Sequence, residues 1–196
     1  MHSNRKVAEL ITIHDTSMLA GFVSPKANLA KITAPVNPPS AGKLLPIAVI
    51  FERLEKLIGQ SFPDAGYDQD RKRGAEIHAQ VCRALGYNNY QDDGQFPDVR
   101  HQLLEVKLQT SPTIDLGLVT PDSNEPLDIP QLGGKQIRHC DVRYAIFCGA
   151  TKGKQLTLTN LYMITGEAFF SRFPRFGGKV LNKKLQIPLP ADFFDR

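Results

Sequence analysis

The residues best suited to chemistry lie in one stretch, Phe96-Pro97-Asp98-Val99-Arg100-His101-Gln102-Leu103-Leu104-Glu105-Val106-Lys107-Leu108-Gln109. Side chains alternate faces along a β-strand, so Leu104, Val106 and Leu108 share one face and Glu105, Lys107 and Gln109 the other. A carboxylate and an ammonium on an otherwise apolar strand are expensive to bury unless they are paired or hold an ion. Asp98 and Glu105 are equidistant from a turn centred between His101 and Gln102. A hairpin closing there sets them opposite each other, with Cβ atoms about 4.5–5.5 Å apart. Carboxylates that close repel each other unless positive charge separates them. A hard cation with oxygen ligands, such as Mg²⁺, does so. Lys107 then adds a point charge at the rim, where it can meet a phosphate or an attacking water. The same letters also fit a plain surface hairpin, with Glu105 and Lys107 solvated and Asp98 in a turn.

The chain contains its own control. Pro63-Asp64 followed by Asp70-Arg71-Lys72 repeats the letters at similar spacing. Residues 65–69 give that copy no alternating apolar support, and Asp70 to Arg73 open a polar helix, where acids suit the dipole. Only the later copy places its acid and lysine on an apolar strand, so Asp64 and Asp70 are set aside. A third acid, Glu76, lies on the helix leading into that strand. Alone it reads as an exposed helix glutamate; if the helix packs across the hairpin, it joins the metal or its water shell.

Helix glutamate, Pro-Asp, a short gap and Glu-Val-Lys on a hydrophobic strand resemble the PD-(D/E)xK nuclease superfamily, type II restriction endonucleases in particular. The likeness spans roughly residues 70–165. It implies an α/β fold with a restriction-endonuclease-like core, a mixed β-sheet flanked by helices. It also implies hydrolysis of phosphodiester bonds in double-stranded DNA with Mg²⁺, for which Mn²⁺ can substitute, by a homodimer that cuts both strands. On the same footing Asp98 and Glu105 are the metal ligands, joined by the main-chain oxygen of Val106. Lys107 orients or activates the attacking water, and Glu76 is the auxiliary helix acid. Two other readings stand beside this one: a repair or junction-resolving nuclease of the same superfamily, and a DNA-binding module whose acids are merely structural.

DNA contacts are expected from three places. Gln109, Thr110 and Ser111, at the exit of the catalytic strand, offer an amide and hydroxyls of the kind that bond phosphate oxygens. Basic residues gather at Arg71-Lys72-Arg73, between Lys135 and Arg143, and at Arg172, Arg175, Lys179, Lys183 and Lys184. They form either a solvated face or a DNA-facing groove. Base reading is expected from the long loop at 110–141, whose Gln131, Lys135, Gln136 and Arg138 suit major-groove edges.

These residues need elements to position them. Helices are expected over 43–58, with Pro46 in the first turn, and over 68–85, closed by Gly86. After that the period changes to a strand pair around the Asp98 turn, a long loop, and strands at 144–149 and 156–164. Thr165 suits the N-cap of a short helix at 166–173, and a last strand is expected near 185–189. The stretch 33–42 carries three prolines and ends in glycine, which reads as an extended linker. The organisation is therefore an N-terminal arm and linker over 1–42 and a catalytic domain over 43–196, together one compact unit.

Composition sets the outer limits. The 196 residues carry a net charge of +4, compatible with a polyanionic partner but too weak to establish one. No apolar run approaches the length of a membrane span, and MHSNRKVAEL lacks a secretory h-region. With three cysteines, an odd count lacking a C-x-x-C, a reduced cytoplasmic protein is expected. The segment Gly149-Ala-Thr-Lys-Gly-Lys154 is not a P-loop, because Cys148 stands where the first glycine belongs and Gln155 follows the lysine.

Overall fold

A computed structural model describes residues 7–64, 70–111, 113–173 and 186–188. Its strands are β1 (Val7–Leu10), β2 (Ser61–Pro63), β3 (Leu104–Gln109), β4 (Thr113–Asp115), β5 (Arg143–Lys152), β6 (Gln155–Thr165) and β7 (Gln186–Pro188). The α-helices are α1 (Ile47–Leu54), α2 (Asp70–Leu85) and α3 (Phe169–Arg172). Five strands form one mixed sheet in the order β1-β6-β5-β3, with β2 also on β6. The hairpin of β5 and β6 is antiparallel, whereas β3 runs parallel to β5 and β1 parallel to β6. A separate antiparallel pair joins β4 and β7. The protein is thus α/β, with an open mixed sheet flanked by helices.

Both faces of the sheet are covered, which explains why Tyr144 to Gly149 reads as a nearly unbroken apolar run. On one face α1 and α2 bring Ile50, Leu54, Ile77 and Val81 against Val106, Phe147, Leu161 and Met163. On the other, α3 and the 116–142 segment bring Leu127, Ile137, Phe169 and Phe173 against Tyr144, Ile146 and Tyr162. The long loop is therefore an irregular packed layer.

Several boundaries move for identifiable reasons. Pro46 is the N-cap residue of α1 instead of lying in its first turn. The helix tightens to a 3₁₀ turn at Glu55–Leu57 before Gly59, whose φ is 89°. The expected strand pair is one strand: β3 forms, and Val99 reaches it through a single bridge to Leu104. Thr165 is still paired with Arg143 in β6, so Ala168 takes the N-cap of a four-residue α3. The C-terminal strand is present as Gln186–Pro188, while residues 185 and 189 lie outside the described residues.

The stretch 33–42 packs instead of tethering. Ala34, Pro35 and Pro39 are buried. The carbonyl of Pro35 accepts from the His101 N–H at 2.8 Å, and that of Val36 from Arg100 Nη1 at 3.0 Å. Ahead of it, β1 lies in the main sheet, and Arg143 Nε donates to Asp15 Oδ1 at 2.6 Å in a buried ion pair. The second oxygen of Asp15 accepts the Ile47 N–H at 3.0 Å, fixing the start of α1. Residues 7–42 share the core of the rest. Among the described residues no helix is long and apolar enough to cross a membrane, and Cys82, Cys140 and Cys148 are free and buried.

Candidate active site

The turn that carries the acids is built tightly. Val99 N–H donates to the Leu104 carbonyl at 2.9 Å, and Leu104 N–H returns to Val99 at 3.2 Å. Between them Arg100–Gln102 form a 3₁₀ turn and Leu103 takes the left-handed region at φ 49°. The pairing centre falls between His101 and Gln102, the place that the spacing of Asp98 and Glu105 requires. Buried side chains hold the turn. His101 Nδ1 lies 3.0 Å from the Tyr87 hydroxyl and 2.9 Å from Gln102 Nε2. Gln102 Oε1 accepts the Leu45 N–H at 2.8 Å. Burial, with Lys43 nearby, lowers the His101 pKa to about 4, so its ring stays neutral.

Asp98, Glu105 and Lys107 converge. The Asp98 N–H donates to Glu105 Oε2 at 3.1 Å, and the Val106 N–H donates to Asp98 Oδ2 at 2.8 Å. Lys107 Nζ pairs with Glu105 Oε1 at 2.8 Å. Because a strand residue projects its N–H and C=O to the same side, the carbonyl of Val106 also faces the Asp98 edge of β3. Glu105 is 5% exposed. Burial first, and then the charge of Asp98, push its pKa up to about 7 against the pull of Lys107. The Asp98 pKa is also raised by burial, although the Val106 N–H and Lys107 oppose the rise. Two acids thus face each other beside one lysine among the described residues, and the local balance favours added positive charge. Asp98 and Val106 open onto a cavity of about 390 Å³ whose other walls include Gly74, His78, Asp92 and Asp93.

Glu76 is not brought to this place. It is exposed and accepts from Gln80 Nε2 at 2.8 Å within its own helix. One turn apart, Gly74 and His78 form the α2 face that meets the cavity, and Glu76 projects from nearly the opposite side. Sequence reasoning missed His78 and Asp92. The helical spacing of Gly74 and His78 was the available signal, but it points only once the direction of α2 relative to β3 is known. His78 is buried, with Nε2 3.3 Å from the Gln91 carbonyl and 3.4 Å from Cys82 Sγ. Among the described residues, no group of three or more His, Cys, Asp or Glu side chains is arranged to hold a metal ion. The available donors are two carboxylates and a main-chain oxygen.

The expected DNA contacts are more dispersed. Gln109 is half-buried at the end of β3, while Thr110 and Ser111 are exposed, with Ser111 Oγ 3.4 Å from Thr113 Oγ1. Gln131 and Lys135 are exposed, and the Lys135 ammonium lies 5.8 Å from the centre of the Phe22 ring. Gln136 spends its amide on the loop itself, donating to the Leu127 and Ile137 carbonyls at 3.0 and 3.1 Å. Arg138 bonds Asn124 at 3.1 Å and lies 3.7 Å from Asp141. Arg172 pairs with Glu9 at 3.3 Å. Arg175, Lys179, Lys183 and Lys184, and the side chain of Arg71, lie outside the described residues. No protein-family model matches this chain, and neither a curated protein nor a solved structure matches it.

Proposed function

We propose that this chain is a divalent-cation-dependent endonuclease acting on double-stranded DNA in the manner of type II restriction enzymes, with a restriction-endonuclease-like core. The observation that carries the reading is the meeting of Asp98, Glu105 and Lys107 through the Val99–Leu104 turn, with Asp98 opening onto a polar cavity. The residues fit a hard cation such as Mg²⁺, or Mn²⁺ in its place: a buried and a half-buried carboxylate, both with raised pKa, beside a main-chain carbonyl. Asp98 and Glu105 hold the ion with the Val106 carbonyl, and Glu76 takes no part. Such an ion neutralises charge on the phosphoryl oxygens and makes water acidic enough to attack at neutral pH. Lys107, anchored on Glu105, presents its ammonium to the phosphate and orients the water. No side-chain nucleophile and no covalent intermediate are needed. Cutting both strands calls for two such centres, which a homodimer supplies.

The test is incubation of supercoiled plasmid with pure protein, with Mg²⁺ or with EDTA. Discrete linear fragments in Mg²⁺ alone are expected. The Asp98→Ala variant should lose cleavage while still retarding DNA in a gel. Wild-type cleavage by that variant refutes the assignment, and absence of cutting by the unaltered protein refutes the function.

A further inference from the structure

Two cavities meet the 96–98 segment. The polar one opens at Asp98; the second, of about 250 Å³, opens at Phe96 and is closed by Leu116, Val119 and His139. The Phe96 and His139 rings are stacked, with centroids 5.5 Å apart and planes at 18°. Burial lowers the His139 pKa, more than Glu125 raises it, so the ring behaves as a neutral aromatic surface. Over the cleft stands Leu118, which is 77% exposed, following Gly117 at φ 84°. Among the described residues Leu118 is the most exposed large hydrophobic. Leu118 alone would be an ordinary surface leucine; at the mouth of a cleft walled by Phe96, Leu116, Val119 and His139 it extends an apolar concave surface suited to a ligand.

The position narrows what binds. Two consecutive Cα–Cα steps keep Phe96 within about 7 Å of Asp98, so a nucleotide whose phosphate meets Asp98 has a base within reach of the cleft. Arg138, next to His139 in the sequence, keeps 42% of its side-chain surface exposed. We propose that the cleft takes a nucleobase displaced from the double helix beside the cut, stacked against Phe96 and His139, while Leu118 wedges into the gap it leaves. The inference depends on the nuclease reading only for where the DNA lies.

Binding by the full-length protein to a duplex with one unpaired adenine, and to its fully paired counterpart, tests this by fluorescence anisotropy. Measurements are made in Ca²⁺ and repeated in EDTA. The unpaired duplex should bind about 10-fold tighter, equivalent to about 1.4 kcal/mol and within the range for a base stacked on an aromatic side chain. Leu118→Ala, a surface change that leaves the core intact, and His139→Ala should each remove most of that preference. Equal affinity for the two duplexes, or a preference kept by both variants, overturns the proposal. So does a Leu118→Ala variant whose molecular mass in solution changes while its preference stays, because the cleft is then a contact between copies. Preference without plasmid cleavage keeps this inference and removes the nuclease reading; cleavage without preference does the reverse.

Discussion

Asp64 and Asp98 each follow a proline and precede an acid and a lysine, yet the fold treats them differently. Asp64 is gripped by Arg73, whose Nε and Nη2 donate to its two oxygens at 2.6 and 3.0 Å. Among the described residues this carboxylate meets that guanidinium in a planar fork of opposite charges. Asp98 and Glu105 instead lie beside Lys107, and burial first, with the charge of Asp98 at Glu105, raises their pKa values against the pull of that lysine. The letters are alike; the charge ratio differs. A balanced buried pair is explained by folding alone, whereas two acids with one base are better satisfied by a further cation.

Substitutions can sharpen or break that contrast. Removing the base at the later site should leave the acids in place but without their partner, so Lys107→Ala is expected to lower kcat by roughly 10²–10³-fold, as read from plasmid cleavage at saturating Mg²⁺. At the earlier site the effect should fall on stability. Asp64→Ala removes a forked carboxylate from a guanidinium whose side chain is only 10% exposed, and about 3 kcal/mol of unfolding free energy should be lost in urea titration. Its kcat should stay within about twofold of wild type; a larger fall would mean that the two copies are not distinct in function.

The pH response should separate them too. In the folded protein the Glu105 pKa lies near 7 instead of 4.5, so the native state holds that proton more tightly than the unfolded chain does. Its contribution to stability is full below the ordinary carboxylate range and is lost as pH rises through about 7. Differential scanning fluorimetry of metal-free protein should therefore show a falling Tm between about pH 5 and pH 8. Glu105→Gln should flatten the fall, and Mg²⁺ should raise Tm more at the upper pH than at the lower. A fall unchanged by Glu105→Gln would remove this residue as its cause.

Much of this site was legible in the sequence because it is local. The spacing of Asp98 and Glu105 about one turn, and the alternation of Leu104, Val106 and Leu108 with Glu105 and Lys107, depend on residues fewer than a dozen apart. The α2 helix, closed by Gly86 just past its last residue, was legible for the same reason. What escaped depends on distant partners. Val7–Leu10 is a four-residue strand that exists because β6 offers it an edge, and Asp15 finds Arg143 across 128 positions. A proline-rich stretch reads as linker until the carbonyls of Pro35 and Val36 are seen holding the 99–104 turn. Glu76 illustrates the limit within the site: its helix was expected correctly, but which face of α2 meets β3 is set by packing. A helix pattern alone does not decide between Glu76 and His78.

Asp98 and Glu105 are proposed to hold a divalent cation together. Isothermal titration calorimetry with Mn²⁺ at about pH 8, where ionised carboxylates bind best, tests it most directly. Saturable binding is expected of wild type and of Asp64→Asn, and none of the Asp98→Asn, Glu105→Gln double variant with an unchanged circular dichroism spectrum. Equal binding by that folded double variant, or none by the wild-type protein, would contradict it.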